Sequence, residues 1–105
     1  MTRLLLVTQG DRKVWVAALI NDLDIWTYVG NTGRFHHNAG ISEDYFGAGL
    51  AQYADIGIAE AKRLIADGVG LVDAEQKPDS VLGWLDDTNA MDPEVVFASM
   101  VADLA

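Results

Sequence analysis

The chain has 105 residues, half of them apolar, 22% charged, no cysteine and a net charge of −9. That is one domain's length with material for a sizeable core, which excludes global disorder, a disulfide framework and a thiolate metal site. The charge is uneven: residues 1–40 hold four basic and three acidic side chains, residues 41–105 three against thirteen. Such a surface repels nucleic-acid phosphates and anionic membranes, so neither is an expected partner, while a basic protein partner is allowed and the acidic faces also serve solubility.

Arg3 to Thr8, RLLLVT, is short enough for a strand and stops at Gln9-Gly10-Asp11. No window reaches the roughly 18 consecutive apolar residues of a membrane span, and this opening run is too short for a signal peptide. A cytoplasmic protein is expected. Val14–Ile20, VWVAALI, reads as a second strand, apolar on both faces and therefore central. Asn21-Asp22 tolerates the left-handed backbone of a tight hairpin and leads into a third strand, Leu23–Val29. There Trp26 and Tyr28 share one face, and Ile25, Thr27 and Val29 the other.

Gly30-Asn31-Thr32-Gly33 is a turn, and Arg34–Asn38 is a candidate fourth strand. Alternation places Phe35 and His37 on one side and Arg34 and His36 on the opposite one. Ser42 is a candidate cap for a single helical turn ending at Phe46, closed by Gly47-Ala48-Gly49. From there the pattern is helical: Ile58, Ala61, Leu64 and Ile65 make an apolar stripe, and Gly68 sits at a C-cap position. Val69–Asp73 is an extended link or minor strand. Pro78 opens a helix running to Leu85, and Asp92-Pro93-Glu94 opens the last one, with Phe97, Met100, Val101 and Leu104 as its buried stripe, widened by Val96.

Strands first and helices second imply one α+β domain over 1–105. An N-terminal antiparallel meander of three to four strands carries the C-terminal helices on one face. The meander's edges invite pairing, so a homodimer is compatible with this layout.

Residues 26–46, WTYVGNTGRFHHNAGISEDYF, concentrate the reactive and recognition chemistry. Both histidines stand here, and imidazole exchanges protons near neutral pH. Arg34 can clamp a carboxylate or phosphate, or pair with Glu43 or Asp44. Trp26 and Phe46 are expected to be buried, Tyr28 and Tyr45 exposed. The candidate binding residues are therefore Tyr28, Arg34, His36, His37 and Tyr45. Adjacent histidines on a strand diverge, their spacing matches no ligand motif, and no phosphate-loop signature follows the glycines, so no metal and no cofactor is expected.

No serine lies in a Gly-x-Ser-x-Gly context. Without a catalytic set, the expected function is a non-enzymatic protein-interaction module of the inhibitor, antitoxin or immunity type. The alternative is a small-molecule-binding protein or enzyme around residues 26–46. Arg34 would anchor its ligand, His36 or His37 would move the proton, and Tyr28 or Tyr45 would donate a hydrogen bond.

Overall fold

A computed structural model describes residues 1–104, apart from the side chains of Ala48 and of residues 102–104. The strands are β1 (Thr2–Gln9), β2 (Arg12–Ile20), β3 (Asp24–Val29), β4 (Arg34–His37) and β5 (Gln52–Ile56). The helices are α1 (Ala39–Glu43), continuing into a π-helical turn at Asp44–Ala48, then α2 (Ile58–Ala66), α3 (Pro78–Leu85) and α4 (Pro93–Leu104). The fold is α+β. Four antiparallel strands form the expected meander, and a fifth joins it in the order β4-β3-β2-β1-β5.

Local chemistry sets the turns. Asn21 and Asp22 both have φ near the left-handed value, 55° and 56°, and Leu23 N–H donates to the Ile20 carbonyl at 3.1 Å. Two left-handed residues at the centre of a four-residue turn give the twist that suits a hairpin. β2 lies inside the sheet with Val16, Ala17, Ala18 and Leu19 all buried, so both of its faces are covered.

Those two faces support two cores. On the first, Leu4, Val16, Ala18 and Phe35 meet Ala61 and Leu64 of α2 and Val96 and Phe97 of α4. On the second, Leu5, Val7, Ala17, Leu19 and Ile25 are closed by Ala51 and by Ile41, Tyr45 and Tyr53. α2 and α4 therefore lie together on one side of the sheet. α3 reaches the other: its Trp84 packs near Trp15 and His36, with ring centroids at 6.3 and 6.2 Å. The chain then rounds the β4 edge, where Met91 and Phe35 exchange backbone hydrogen bonds of 2.8 and 2.9 Å, before α4 returns to the first face.

Several local expectations are revised. Residues 52–56 are a strand rather than the approach to a helix. α1 is capped by Asn38, whose side chain accepts Ile41 N–H at 3.0 Å, and Ser42 instead accepts Ile25 N–H from β3 at 3.0 Å. The link 69–73 joins no sheet. The Asn31 side chain clamps it, donating to the Val72 carbonyl and accepting Val72 N–H, both at 2.8 Å. Gly70, at φ +93°, passes so close to β3 that a Cβ there would collide with the Tyr28 carbonyl oxygen. On α4, Val96 and Phe97 are buried and Val101 is exposed, while the side chain of Leu104 lies outside the described residues.

Candidate functional site

The pleat separates the two histidines. His37 points to the first face, where its ring meets Trp26 edge-on at 5.6 Å and its Nε2–H donates to Asp24 at 3.3 Å. Its side chain is 43% exposed. His36 points to the second face and is 1% exposed. Its Nδ1 lies 2.9 Å from Asp87 Oδ2 and its Nε2 2.7 Å from Thr32 Oγ1. An ionised carboxylate only accepts, so Nδ1–H donates to Asp87, while Nε2 and the Thr32 hydroxyl share the second hydrogen bond and the same hydroxyl lies 3.3 Å from the Val29 carbonyl. The His36 hydrogen bond, reinforced by that of Asn89 N–H, holds the Asp87 carboxyl below its usual value of 3.8. His36 thus bolts the β3–β4 turn to the residues that follow α3.

The other expected site residues are dispersed as well. Arg34 shares the His36 face and pairs at 3.4 Å with Asp92, not with Glu43 or Asp44. With Asn31, Thr32, Trp84 and Leu85 it lines a cavity of about 220 Å³. Tyr28 is half-buried against the first core, its ring tilted over Phe35 at 5.6 Å. Trp26 is also half-buried on that side. Tyr45 belongs to the second face, far along the sheet order from β4. The five residues form no single recess: Arg34 and His36 share one neighbourhood, and the remaining three lie apart from it.

Tyr45 is instead the centre of a different cluster, at the β5 end. Its ring makes edge-to-face contacts at 5.0 Å with both Phe46 and Tyr53. The π-helical turn that carries Tyr45 and Phe46 is a rare element found disproportionately at functional sites. Asp44 fixes it. Its carboxylate accepts the Tyr53 hydroxyl at 2.6 Å and the Leu50 and Ala51 N–H groups at 2.7 and 3.0 Å. These three donors, Tyr53 first, lower the Asp44 pKa from 3.8. Partial burial, with the neighbouring Asp44 carboxylate, raises that of Tyr53 from 10.0.

This turn displays Phe46, 54% exposed, and Leu50, 84% exposed, follows it. Phe46, expected inside, stands outside. Both flank β5, which ends the sheet and pairs only with β1 among the described residues. Beside them Arg3 of β1 holds Asp55 of β5 through a bidentate contact, with both Arg3–Asp55 distances from Nη2 at 2.9 Å. The sequence contains one signal for this surface: Gln52-Tyr53-Ala54-Asp55-Ile56 alternates, but its second face is nearly all polar and so lacks an apolar period. Among the described residues, no group of three or more His, Asp or Glu side chains is arranged to hold a metal ion, and no helix is long and apolar enough to cross a membrane.

Comparison of the chain with protein-family models, curated proteins and solved structures found no match.

Proposed function

We propose that this chain is a cytoplasmic, non-enzymatic protein-interaction module of the inhibitor, antitoxin or immunity type, and that it takes an extended basic segment of its partner along β5. The observation that carries this reading is an open sheet edge bordered by two exposed apolar side chains, Phe46 and Leu50. An edge strand offers unpaired N–H and C=O groups to an incoming strand, and flanking apolar side chains supply the anchors. Asp44 and Asp55 are already held, by Tyr53 and the backbone and by Arg3, so the edge is pre-shaped rather than awaiting a partner to order it. The net charge of −9 favours a basic partner and steers its approach.

The test uses a library of displayed linear peptides selected against the full chain. Enriched peptides should alternate apolar and basic residues and protect the amides of residues 52–56 from exchange. Their binding should fall steeply with added salt. It should also be lost in Ala54→Lys, which places a charge on the exposed edge, and in Phe46→Ser/Leu50→Ser. Peptides that bind these variants as well as the wild type would refute the docking surface. A concentration-dependent dimer abolished by Ala54→Lys would make the occupant a second copy of the chain, against the partner reading. Salt-insensitive binding would remove the electrostatic part.

One observation favours the alternative of an enzyme near residues 26–46: Thr32, His36 and Asp87 follow the order hydroxyl, imidazole, carboxylate beside the 220 Å³ cavity. The surrounding backbone weighs against it. Thr32 and Gly33 N–H both donate to the Val29 carbonyl, and Arg34 N–H donates to Thr32 Oγ1, so these amides are not free to hold an oxyanion. Hydrolysis of p-nitrophenyl acetate that disappears in Thr32→Val would favour the enzyme. Equal, background rates in both proteins would exclude it.

A further inference from the structure

A second surface lies at the β1–β2 turn, the end of the strands at which β5 begins. Gln9 and Arg12 flank the β1–β2 turn, and the link 69–77 passes beside them on its way to α3. Between these two segments is a cleft of about 420 Å³, within the size range of small-molecule sites. Its walls are Val14, Trp15, Leu71 and Val72, and its polar groups are Gln9, Arg12, Asp73, Gln76 and Lys77.

The charge of this cleft is opposite to that of the molecule. Two cations line it against one acid, in a chain with sixteen acidic and seven basic residues. Of the five cations outside the cleft three are engaged: Arg3 pairs with Asp55, Arg34 with Asp92, and Lys62 lies 5.8 Å above the Phe97 ring, whereas Lys13 and Arg63 make no ion pair among the described residues. Arg12 and Lys77 make no ion pair among the described residues, although acids outnumber bases more than two to one along the chain. The single acid of the cleft is occupied locally. Asp73 Oδ1 accepts Glu75 N–H at 2.9 Å, and the Asp73 carbonyl accepts Gln76 and Lys77 N–H at 3.2 and 3.0 Å. Asp73 therefore folds the turn that brings Gln76 and Lys77 to the rim.

The opposite wall is fixed as well. Trp15 is held by Trp84, and the link is held by the Asn31 clamp on Val72 and by Gly30 N–H donating to the Gly70 carbonyl at 3.0 Å. The cleft consequently has rigid apolar walls, with long cationic and amide side chains at its mouth. Its lining includes no histidine and no hydroxyl nucleophile, so the chemistry it offers is binding, not turnover.

We infer that this cleft binds a small organic anion, a phosphate or carboxylate carried on a flat ring, with Arg12 and Lys77 on the anionic group, Gln9 and Gln76 as hydrogen-bond partners and Trp15 against the ring. Arg presents a planar fork that fits either oxyanion, and Lys adds a point charge. An indole supplies a large contact surface for a ring.

Phenyl phosphate and benzoate are titrated separately into the full chain, followed by the resonances of the Trp15 indole N–H and the Gln9 and Gln76 side-chain amides. Saturable shifts are expected with at least one of the two, and which one identifies the anionic group. Benzyl alcohol and inorganic phosphate, each carrying half of the recognised features, should bind at least about tenfold more weakly. Arg12→Gln and Lys77→Gln should each weaken the preferred anion by about tenfold, and Arg63→Gln, a basic residue of α2 outside the cleft, should leave it unchanged. Arg12 and Lys77 are exposed and unpaired, so both variants keep the fold, which the dispersion of the same spectra verifies. The inference is overturned if neither anion shifts these resonances, if benzyl alcohol or inorganic phosphate binds as tightly, or if all three variants behave alike. Peptide docking at β5 is read from other residues and variants, so either result stands without the other.

Discussion

The two edges of the sheet are treated in opposite ways. At β4 the chain returns to close the edge: Met91 pairs with Phe35, and His36 ties the β3–β4 turn to Asp87 beyond α3. At β5 nothing returns among the described residues, and the neighbouring turn pushes Phe46 and Leu50 outward. Each edge is tied through one carboxylate, Asp87 or Asp44. The difference lies in where that tie leaves the surrounding side chains. At β4 it seals polar groups inside, where unpaired atoms are costly. At β5 it keeps apolar groups outside, where they cost stability unless something covers them. Sealing is a property of the fold, and display is what the proposed partner-binding edge requires.

The sharpest challenge to this contrast is His36→Ala. It leaves a hole in a buried setting and takes one hydrogen bond each from Thr32 and Asp87, so a loss of about 3 kcal/mol is expected in urea unfolding. His37→Ala, one residue further, removes an exposed ring and should cost less than about 1 kcal/mol. Similar losses at both positions would mean that the β4 edge is not bolted through His36.

The next effect is on acid stability. Asp87 and Asp44 have folded pKa values below their ordinary 3.8, so their contribution is complete above that value and is lost as pH falls through the folded values. Unfolding free energy should decline below about pH 4. Asp87→Asn and Asp44→Asn should each start lower at neutral pH and show a shallower decline. A third test separates the edges. Tyr53 has a folded pKa above 10.0, so its contribution is complete below 10.0 and is lost as pH rises through the folded value. An alkaline decline that vanishes in Tyr53→Phe is therefore expected to arise at the β5 end, with the Leu50 and Ala51 amides losing protection first. If the β4 edge opened first at high pH, the assignment would be reversed.

The smallest expected change is in Phe46→Ser/Leu50→Ser, whose unfolding free energy should stay within about 0.5 kcal/mol of the wild type. A large loss there would show that the pair supports the core and is not on display.

The meander is legible because its signals are local. Turn formers at Asn21-Asp22, glycines at positions 30 and 33, and a β2 apolar on both faces specify turns and centre without reference to the rest of the chain. The pleat also separates His36 from His37 by alternation alone. Contacts across long sequence separations carry no such mark. Asp87 lies 51 residues from His36, and adjacent acids at a helix end look the same whether solvated or bonded to a buried ring. β5 escapes a periodicity reading because only Ile56 and Ala51, at its borders, are buried, so the run between them has no apolar period. Phe46 reads as buried because hydrophobicity predicts burial on average, and a residue on display departs from that average. The cleft with Arg12 and Lys77 joins residues 65 positions apart, and neither has a neighbouring motif to mark it.

A π-helical turn holds one residue more than the α-helical turn it replaces. Gly49 N–H closes that turn on the Asp44 carbonyl at 2.8 Å, so the extra residue is taken up inside it. Removing Gly47 would return Asp44–Ala48 to ordinary winding and leave the segment that follows in its place, and what would change is the widened turn that carries Phe46. The outlook of this ring is therefore tied to a count of residues.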